Sequence, residues 1–135
     1  MPSLVKSETI QLRGEQDIVE ARKVVRKLTL DSGFSLVDQT KLVTAASELA
    51  RNTVVYGRGG TLLWEMLVDG LKKGVRLTFK DDGPGIPDIS LAMKDGWTSG
   101  TGLGMGLSGT KRLVNEFDIE SAPGKGTRVT IARWK

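Results

Sequence analysis

Cysteine and histidine are both missing from this chain of 135 residues. The first absence excludes disulfides, thiolate zinc sites and cysteine nucleophiles, and the second removes the commonest general base and metal ligand. Any chemistry must therefore run on carboxylates, amides, hydroxyls and the backbone. Aromatics are scarce, with one Tyr, three Trp and three Phe, and none is interleaved with basic residues as on a nucleic-acid platform. The excess of 20 basic over 16 acidic residues gives only +4, spread along the chain, which reads as solvated surface rather than a nucleic-acid footprint. No apolar run approaches the roughly 20 residues of a membrane span, and the opening Met1-Pro2-Ser3-Leu4-Val5-Lys6 has no signal-peptide core. The expectation is a cytoplasmic protein with no membrane and no nucleic-acid partner. Its 39% hydrophobic residues suffice for one ordinary core, so a single domain over residues 1–135 is expected.

What is present centres on Lys80-Asp81-Asp82-Gly83-Pro84-Gly85-Ile86-Pro87. Upstream, Val75, Leu77 and Phe79 alternate with Arg76, Thr78 and Lys80, the period of a half-buried strand, and the apolar phase runs on to Asp81. The strand thus aims a carboxylate where it had aimed core residues. A buried, ionised carboxylate is costly without donors, and the following Gly-Pro-Gly leaves room for a ligand rather than a side chain. Asp81 reads as the floor of a ligand pocket awaiting a donor. The alternative is a plain turn, because Asp, Gly and Pro are the usual turn residues.

Along the chain, Glu8 to Leu12 reads as an opening edge strand. Ile18, Ala21, Val25 and Leu28 recur at helical spacing between about Glu15 and Leu30, with Gly33 as a stop signal. Ser35-Leu36-Val37-Asp38 resembles a capping box and starts a helix to Tyr56, closed by Gly57 at the cap position. Thr44, Glu48 and Asn52 lie four apart on one face of that helix, while Leu42, Ala45, Ala46 and Leu49 form its packing side. Thr61 to Val68 and Val75 to Asp81 read as an antiparallel pair joined by a Leu71-Lys72-Lys73-Gly74 loop. A short helical piece is expected around Ile89 to Met93. The segment Gly96 to Gly106 holds five glycines in eleven residues and opens into a helical pattern from Leu107 through Leu113, Val114 and Phe117. Such a run presents free backbone N–H groups at the positive end of a helix dipole, unless it is only a surface loop. Phe117 to Ser121 and Thr127 to Trp134 close the chain as a hairpin, and Thr127 stands beside Asp81 if their strands are neighbours.

Taken together, Glu48 with Asn52 on a helix, Asp81-Asp82-Gly83-Pro84-Gly85 after a strand and a glycine loop before a helix resemble the GHKL ATP-binding family of gyrase, Hsp90, histidine kinases and MutL. Its N-box is similar to Glu48-Leu49-Ala50-Arg51-Asn52, its G1 box to Asp81–Gly85, its G2 box to Gly102–Gly106 and its final Gly-x-Gly-Thr to Gly124-Lys125-Gly126-Thr127. The resemblance runs from about Glu15 to the end. Within the family, Ser47–Asn52, Gly83–Ile89 and Gly109-Thr110-Lys111-Arg112-Leu113 most resemble the small bacterial anti-sigma-factor serine kinases of the RsbT type, which switch stressosome proteins.

That resemblance implies a Bergerat-type α/β two-layer sandwich: a mixed, mainly antiparallel sheet of four or five strands covered on one face by about three helices, with nucleotide between the sheet and a mobile glycine lid. It implies ATP and Mg²⁺. Asp81 would accept the adenine amine, which favours ATP over GTP because guanine presents an oxygen there. Asn52 is the implied magnesium ligand. Gly83, Gly85, Ile86, Gly102, Gly104, Met105, Gly106, Leu107 and Thr127 are the other implied nucleotide contacts, Met105 and Leu107 also being explicable as core. Glu48, one turn before Asn52, is the implied catalytic base. The implied function is ATP-dependent phosphorylation of a serine or threonine on a STAS-domain antagonist or stressosome scaffold, with a phosphatase or sigma factor as further partners. A different reading is a nucleotide-gated binding module that sequesters a sigma factor or activates a phosphatase without phosphotransfer. A free-standing ATPase of the gyrase or Hsp90 sort needs dimerising arms and further domains that 135 residues do not hold.

Overall fold

The computed structural model describes residues 2–94 and 106–135. Nine elements follow in order: β1 (Ser3–Leu12), α1 (Glu15–Asp31), α2 (Leu36–Val55), β2 (Gly60–Asp69), β3 (Lys72–Asp81), α3 (Ile89–Ala92), α4 (Leu107–Arg112), β4 (Glu116–Ser121) and β5 (Thr127–Trp134). The strands form one sheet in the order β1-β2-β3-β5-β4. Every described pairing is antiparallel, so the sheet has none of the mixed character expected.

Period-two alternation decides which face is covered. Val75, Leu77 and Phe79 of β3 and Val129 and Ile131 of β5 are buried against the apolar stripes of α1 (Ile18, Ala21, Val25, Leu28) and α2 (Leu42, Ala45, Ala46, Leu49). Two layers result. The start of α2 is fixed by Ser35, whose Oγ accepts the Asp38 N–H at 3.1 Å. The reciprocal half of a capping box is replaced, because the Asp38 carboxylate turns instead to Arg133, 2.7 Å away.

Three boundaries differ from the sequence reading by more than a residue. β3 starts at Lys72, and the turn before it is only Gly70-Leu71, with Gly70 at φ 64°. Gly74 therefore sits inside the strand; a Cβ there would lie 2.6 Å from the Trp134 ring, so this glycine makes room for an indole rather than for a loop. Likewise α4 stops at Arg112, short of the helical pattern read on through Leu113 and Val114, while Phe117 lies in β4 as the hairpin reading has it. Asn115 diverts the chain, its N–H donating to the Ala132 carbonyl at 2.9 Å and its Oδ1 accepting the Trp134 N–H at 2.6 Å. β1 also extends further towards the N-terminus than expected, as an edge strand with a register shift between Leu4 and Lys6.

Arg133 joins three elements. Its Nη2 meets Asp38 Oδ1 at the start of α2, and its Nη1 donates to the Leu113 carbonyl at the end of α4, 2.8 Å away. The hydrogen bond from Arg133, reinforced by its charge, holds the Asp38 carboxyl below the usual carboxylate range against the opposing effect of burial. A depressed folded-state pKa contributes stability that is present above the ordinary carboxylate value and lost as pH falls through the lowered one. Arg133→Met is therefore expected to lower the melting temperature at neutral pH and to flatten the acid limb of the stability curve. Thermal melts from neutral pH into acid check this; an acid limb unchanged from wild type would show that the pair does not carry it.

Candidate functional site

Asp81 ends β3 on the covered face, in phase with Val75, Leu77 and Phe79 and directly opposite Thr127 of β5. It forms part of the wall of a cavity of about 440 Å³. The second half of α2 supplies one side with Leu49, Asn52, Thr53, Tyr56 and Gly57, and the sheet supplies Phe79, Asp81, Thr127 and Val129. Pro84–Asp88, Leu91 and Ala92 of α3, and Leu107 close the rest. That size, with largely apolar walls and a few polar groups, suits a small organic ligand.

The Asp81 carboxylate is half-satisfied from within. Its Oδ1 accepts the Gly83 N–H at 2.9 Å. Burial pushes its pKa above the usual carboxylate value; hydrogen bonds from the Gly83 and Thr127 backbones oppose that shift, and the neighbouring charge of Asp82 adds to it. A carboxylate has two oxygens and about four acceptor positions, so capacity is left over for a ligand donor.

The loop after Asp81 is held by the closing hairpin. Gly124 N–H donates to the Pro84 carbonyl at 2.8 Å, and Ile86 N–H donates to Ser121 Oγ at 2.7 Å. Gly85 adopts φ 78°, and a Cβ at that position would fall 2.0 Å from the Ala122 carbonyl oxygen, so no other residue fits. Gly124-Lys125-Gly126-Thr127 thus acts as a clasp on Gly83-Pro84-Gly85-Ile86.

Of the residues singled out in the sequence, Asn52, Asp81, Gly85, Ile86, Leu107 and Thr127 meet around this cavity. Gly83 stands behind the wall, serving Asp81 through its N–H. Glu48 and Gly106 are brought together instead at the start of α4, where a Cβ on Gly106 would lie 3.1 Å from Glu48 Oε1; Glu48 is not part of the cavity wall. Gly102, Gly104 and Met105 lie outside the described residues. Among the described residues no three or more His, Cys, Asp or Glu side chains cluster as metal ligands; Asn52 lines the cavity together with Thr53, Tyr56, Thr127 and the carboxylates of Asp81 and Asp88. The Asp88 carboxylate is engaged, its Oδ1 accepting the Leu91 N–H at 2.9 Å.

Sequence reasoning missed Tyr56, Pro84, Pro87, Asp88 and Leu91 as wall residues and Ser121 as a support. It placed Gly57 correctly at the end of α2, where its N–H donates to the Asn52 carbonyl at 3.0 Å, but left out a second job. Gly57 is outside the left-handed region, where Arg58 sits at φ 61°; a Cβ on Gly57 would lie 2.4 Å from Asp81 Cγ. Its bareness lets the end of α2 close over the carboxylate. A glycine directly after a helix in a chain with an Asp-Gly motif was the available signal, and the cap reading accounted for it without a contact to Asp81.

Comparison with known proteins matches residues 37–135 to the family described as histidine kinase-, DNA gyrase B- and HSP90-like ATPase. A protein named serine/threonine-protein kinase RsbT from Bacillus subtilis is 43% identical over 125 residues, covering 93% of this chain and 94% of its own. A protein named anti-sigma F factor from a Thermoanaerobacter species is 28% identical over 120 residues, 84% of this chain and 82% of its own. Among solved structures, the RsbU and RsbW domains of a Mycobacterium tuberculosis protein superpose with a TM-score of 0.64 at 21% identity, over 96% of this chain and 32% of that one. That likeness extends to the fold, and this chain spans about a third of that structure's length.

Proposed function

Because this chain belongs to the histidine kinase-, DNA gyrase B- and HSP90-like ATPase family, we propose that it binds ATP with the adenine against Asp81 and transfers the γ-phosphoryl group to a serine or threonine of a small regulatory protein in a sigma-factor pathway. The carrying observation is the half-buried Asp81 carboxylate on the cavity wall, with one oxygen engaged by Gly83 and capacity left for an exocyclic amine. Near-full-length identity of 43% to a protein named as a serine/threonine kinase supports phosphotransfer over binding alone. The anti-sigma F factor relatives support a partner in sigma-factor regulation, and a STAS-domain antagonist or stressosome scaffold is the substrate of this reading.

Adenine offers an amine where guanine has an oxygen, so a fixed acceptor favours ATP over GTP, by up to roughly 10⁴-fold in the best comparable cases. Asn52 would hold Mg²⁺ through its amide oxygen, which suits an ion that keeps several waters and takes most other ligands from phosphate; the metal would screen the charge developing on the transferred group. Glu48 is one helical turn from Asn52 and against Gly106, so its side chain stands towards the phosphate end rather than the adenine end. There it would accept the proton of the substrate hydroxyl as the new O–P bond forms and the bond to the β,γ-bridging oxygen breaks, releasing ADP.

Glu48→Ala is expected to cut transfer of radiolabelled phosphate to a STAS-domain partner by about 10²- to 10⁴-fold while ATP affinity stays within roughly twofold. Equal loss of binding and transfer would show that Glu48 is not a base. Absence of transfer by the wild-type chain to every STAS-domain and stressosome candidate would favour the nucleotide-gated module.

A further inference from the structure

A second cavity, of about 410 Å³, lies behind the strand ends that carry Asp81. Asp81 and Thr127 belong to the walls of both cavities. Lys80 is out of phase with Phe79 and Asp81, so strand alternation sends it to the face of the sheet that the helices leave bare. There it stands across from Arg128 of β5, which in turn stands across from Glu120 of β4. Lys125, from the clasp, lines the same space.

The charges around this cavity decide what it can hold. Arg128 and Glu120 neutralise each other in an ion pair of 2.6 Å. Among the described residues neither Lys80 nor Lys125 has an ion-pair partner. The other wall carboxylate, Asp81, is turned towards the first cavity, with Oδ1 on Gly83 N–H. Two uncompensated positive charges therefore face one space. Lys80 also stands directly opposite Arg128, and like charges paired across strands destabilise a sheet unless an anion comes between them. Glu120 is taken by Arg128 and lies on β4, beyond β5 from Lys80. Ammonium groups are compact point charges suited to phosphate, and a phosphate monoester brings nearly two negative charges at neutral pH. All three cationic side chains are exposed, so a phosphate can reach them whether free or carried on a protein.

We propose that this cavity binds a dianionic phosphate group between Lys80 and Lys125, with Arg128 as the third cation, as a site separate from the nucleotide cavity. It does not depend on what fills that first cavity. Inorganic phosphate and a phosphorylated serine or threonine on a protein share the required chemistry.

Amide NMR of the full chain tests the site with three probes at matched ionic strength: sodium phosphate, the peptide Gly-Gly-phosphoserine-Gly-Gly and its unphosphorylated twin, with sodium chloride as reference. The amides of Lys80, Lys125, Gly126 and Arg128 are expected to shift saturably with either phosphate, half-saturating at about 1 mM, and to stay in place with the unphosphorylated peptide. Tighter binding of the phosphopeptide marks a protein-borne source, and tighter binding of inorganic phosphate a free one. Lys80→Gln combined with Lys125→Gln should weaken binding at least about tenfold, because each lysine supplies a charge-assisted hydrogen bond. Lys72→Gln combined with Lys73→Gln removes as much charge at the other end of β3 and should leave binding within about twofold. Lys125→Gln alone supplies the measurement if the first double variant fails to fold, with a loss of about threefold or more. Shifts that chloride reproduces, shifts confined to the surroundings of Asn52, or equal weakening by the two double variants would reduce the cavity to non-specific charge attraction and overturn the site.

Discussion

Asp81→Asn is expected to weaken ATP binding by about 100-fold and, at the same time, to make the ligand-free protein more stable at neutral pH. The first effect follows from donor counting. Asp81 Oδ1 is engaged by Gly83 N–H at 2.9 Å, so a ligand amine must use the remaining acceptor capacity. Asparagine has a single oxygen. If it keeps the Gly83 bond, its NH₂ confronts the adenine amine donor to donor; if it flips, it strands Gly83. A charged hydrogen bond lost and a donor left unpaired together cost roughly 2–3 kcal/mol, or about two decades in affinity.

The second effect has the opposite sign to the Asp38 case. Burial raises the Asp81 pKa, so the folded chain holds that proton more tightly than the unfolded one. Stability from this group is fully present below the ordinary carboxylate value, falls as pH rises through the raised one, and stays lowered above it. An amide never ionises and escapes that cost. Melts of the apo proteins should show Asp81→Asn ahead of wild type at pH 7 and the gap closing in acid, with the order reversed at pH 7 in excess ATP because ligand stabilises the tighter-binding wild type more. Unchanged affinity and base preference in Asp81→Asn would place the adenine elsewhere.

The same residue shows how much of the site the sequence carries. Alternation through Val75, Leu77 and Phe79 places Asp81 on the covered face without any structure, because a side-chain period of two leaves no other phase. The pairing of Asp81 with Thr127 likewise follows once β3 and β5 are neighbours. What sequence could not supply is proximity between segments that no periodicity links. Ser121 lies 35 residues beyond Ile86 and binds its N–H, and nothing local marks a serine at a strand end as a support. Gly74 fails for a related reason: a turn and a cross-strand tryptophan both call for glycine, and only the register of Gly74 with Trp134 tells them apart. The helical reading past Leu113 failed because Leu113, Val114 and Phe117 suit a helix stripe, whereas Asn115 commits the chain to sheet pairing through contacts with Ala132 and Trp134.

Gly57→Ala separates the shape of the pocket from its charge. Gly57 has no positive φ, so alanine is conformationally acceptable and even preferred for chain entropy. The cost is purely one of contact: the added methyl would sit 2.4 Å from Asp81 Cγ and 2.5 Å from its Cβ, atoms too near the β3 backbone to swing aside. Relief requires the end of α2 to lift or the end of β3 to shift, and both open the cavity wall. Overpacking of this kind costs about 1–3 kcal/mol, a fall in melting temperature of roughly 4–10 °C for a domain of this size, and ATP affinity should drop at least tenfold with it. Stability and binding thus fall together, unlike in Asp81→Asn, where they part. Because one contact causes both losses, Asp81→Gly, which removes the opposing side chain, should cancel much of the stability penalty of Gly57→Ala in the double variant, a coupling that independent sites do not show. Additive melting shifts in that cycle, or a Gly57→Ala protein with wild-type stability and ATP affinity, would mean that α2 does not close on the end of β3 as tightly as these contacts require.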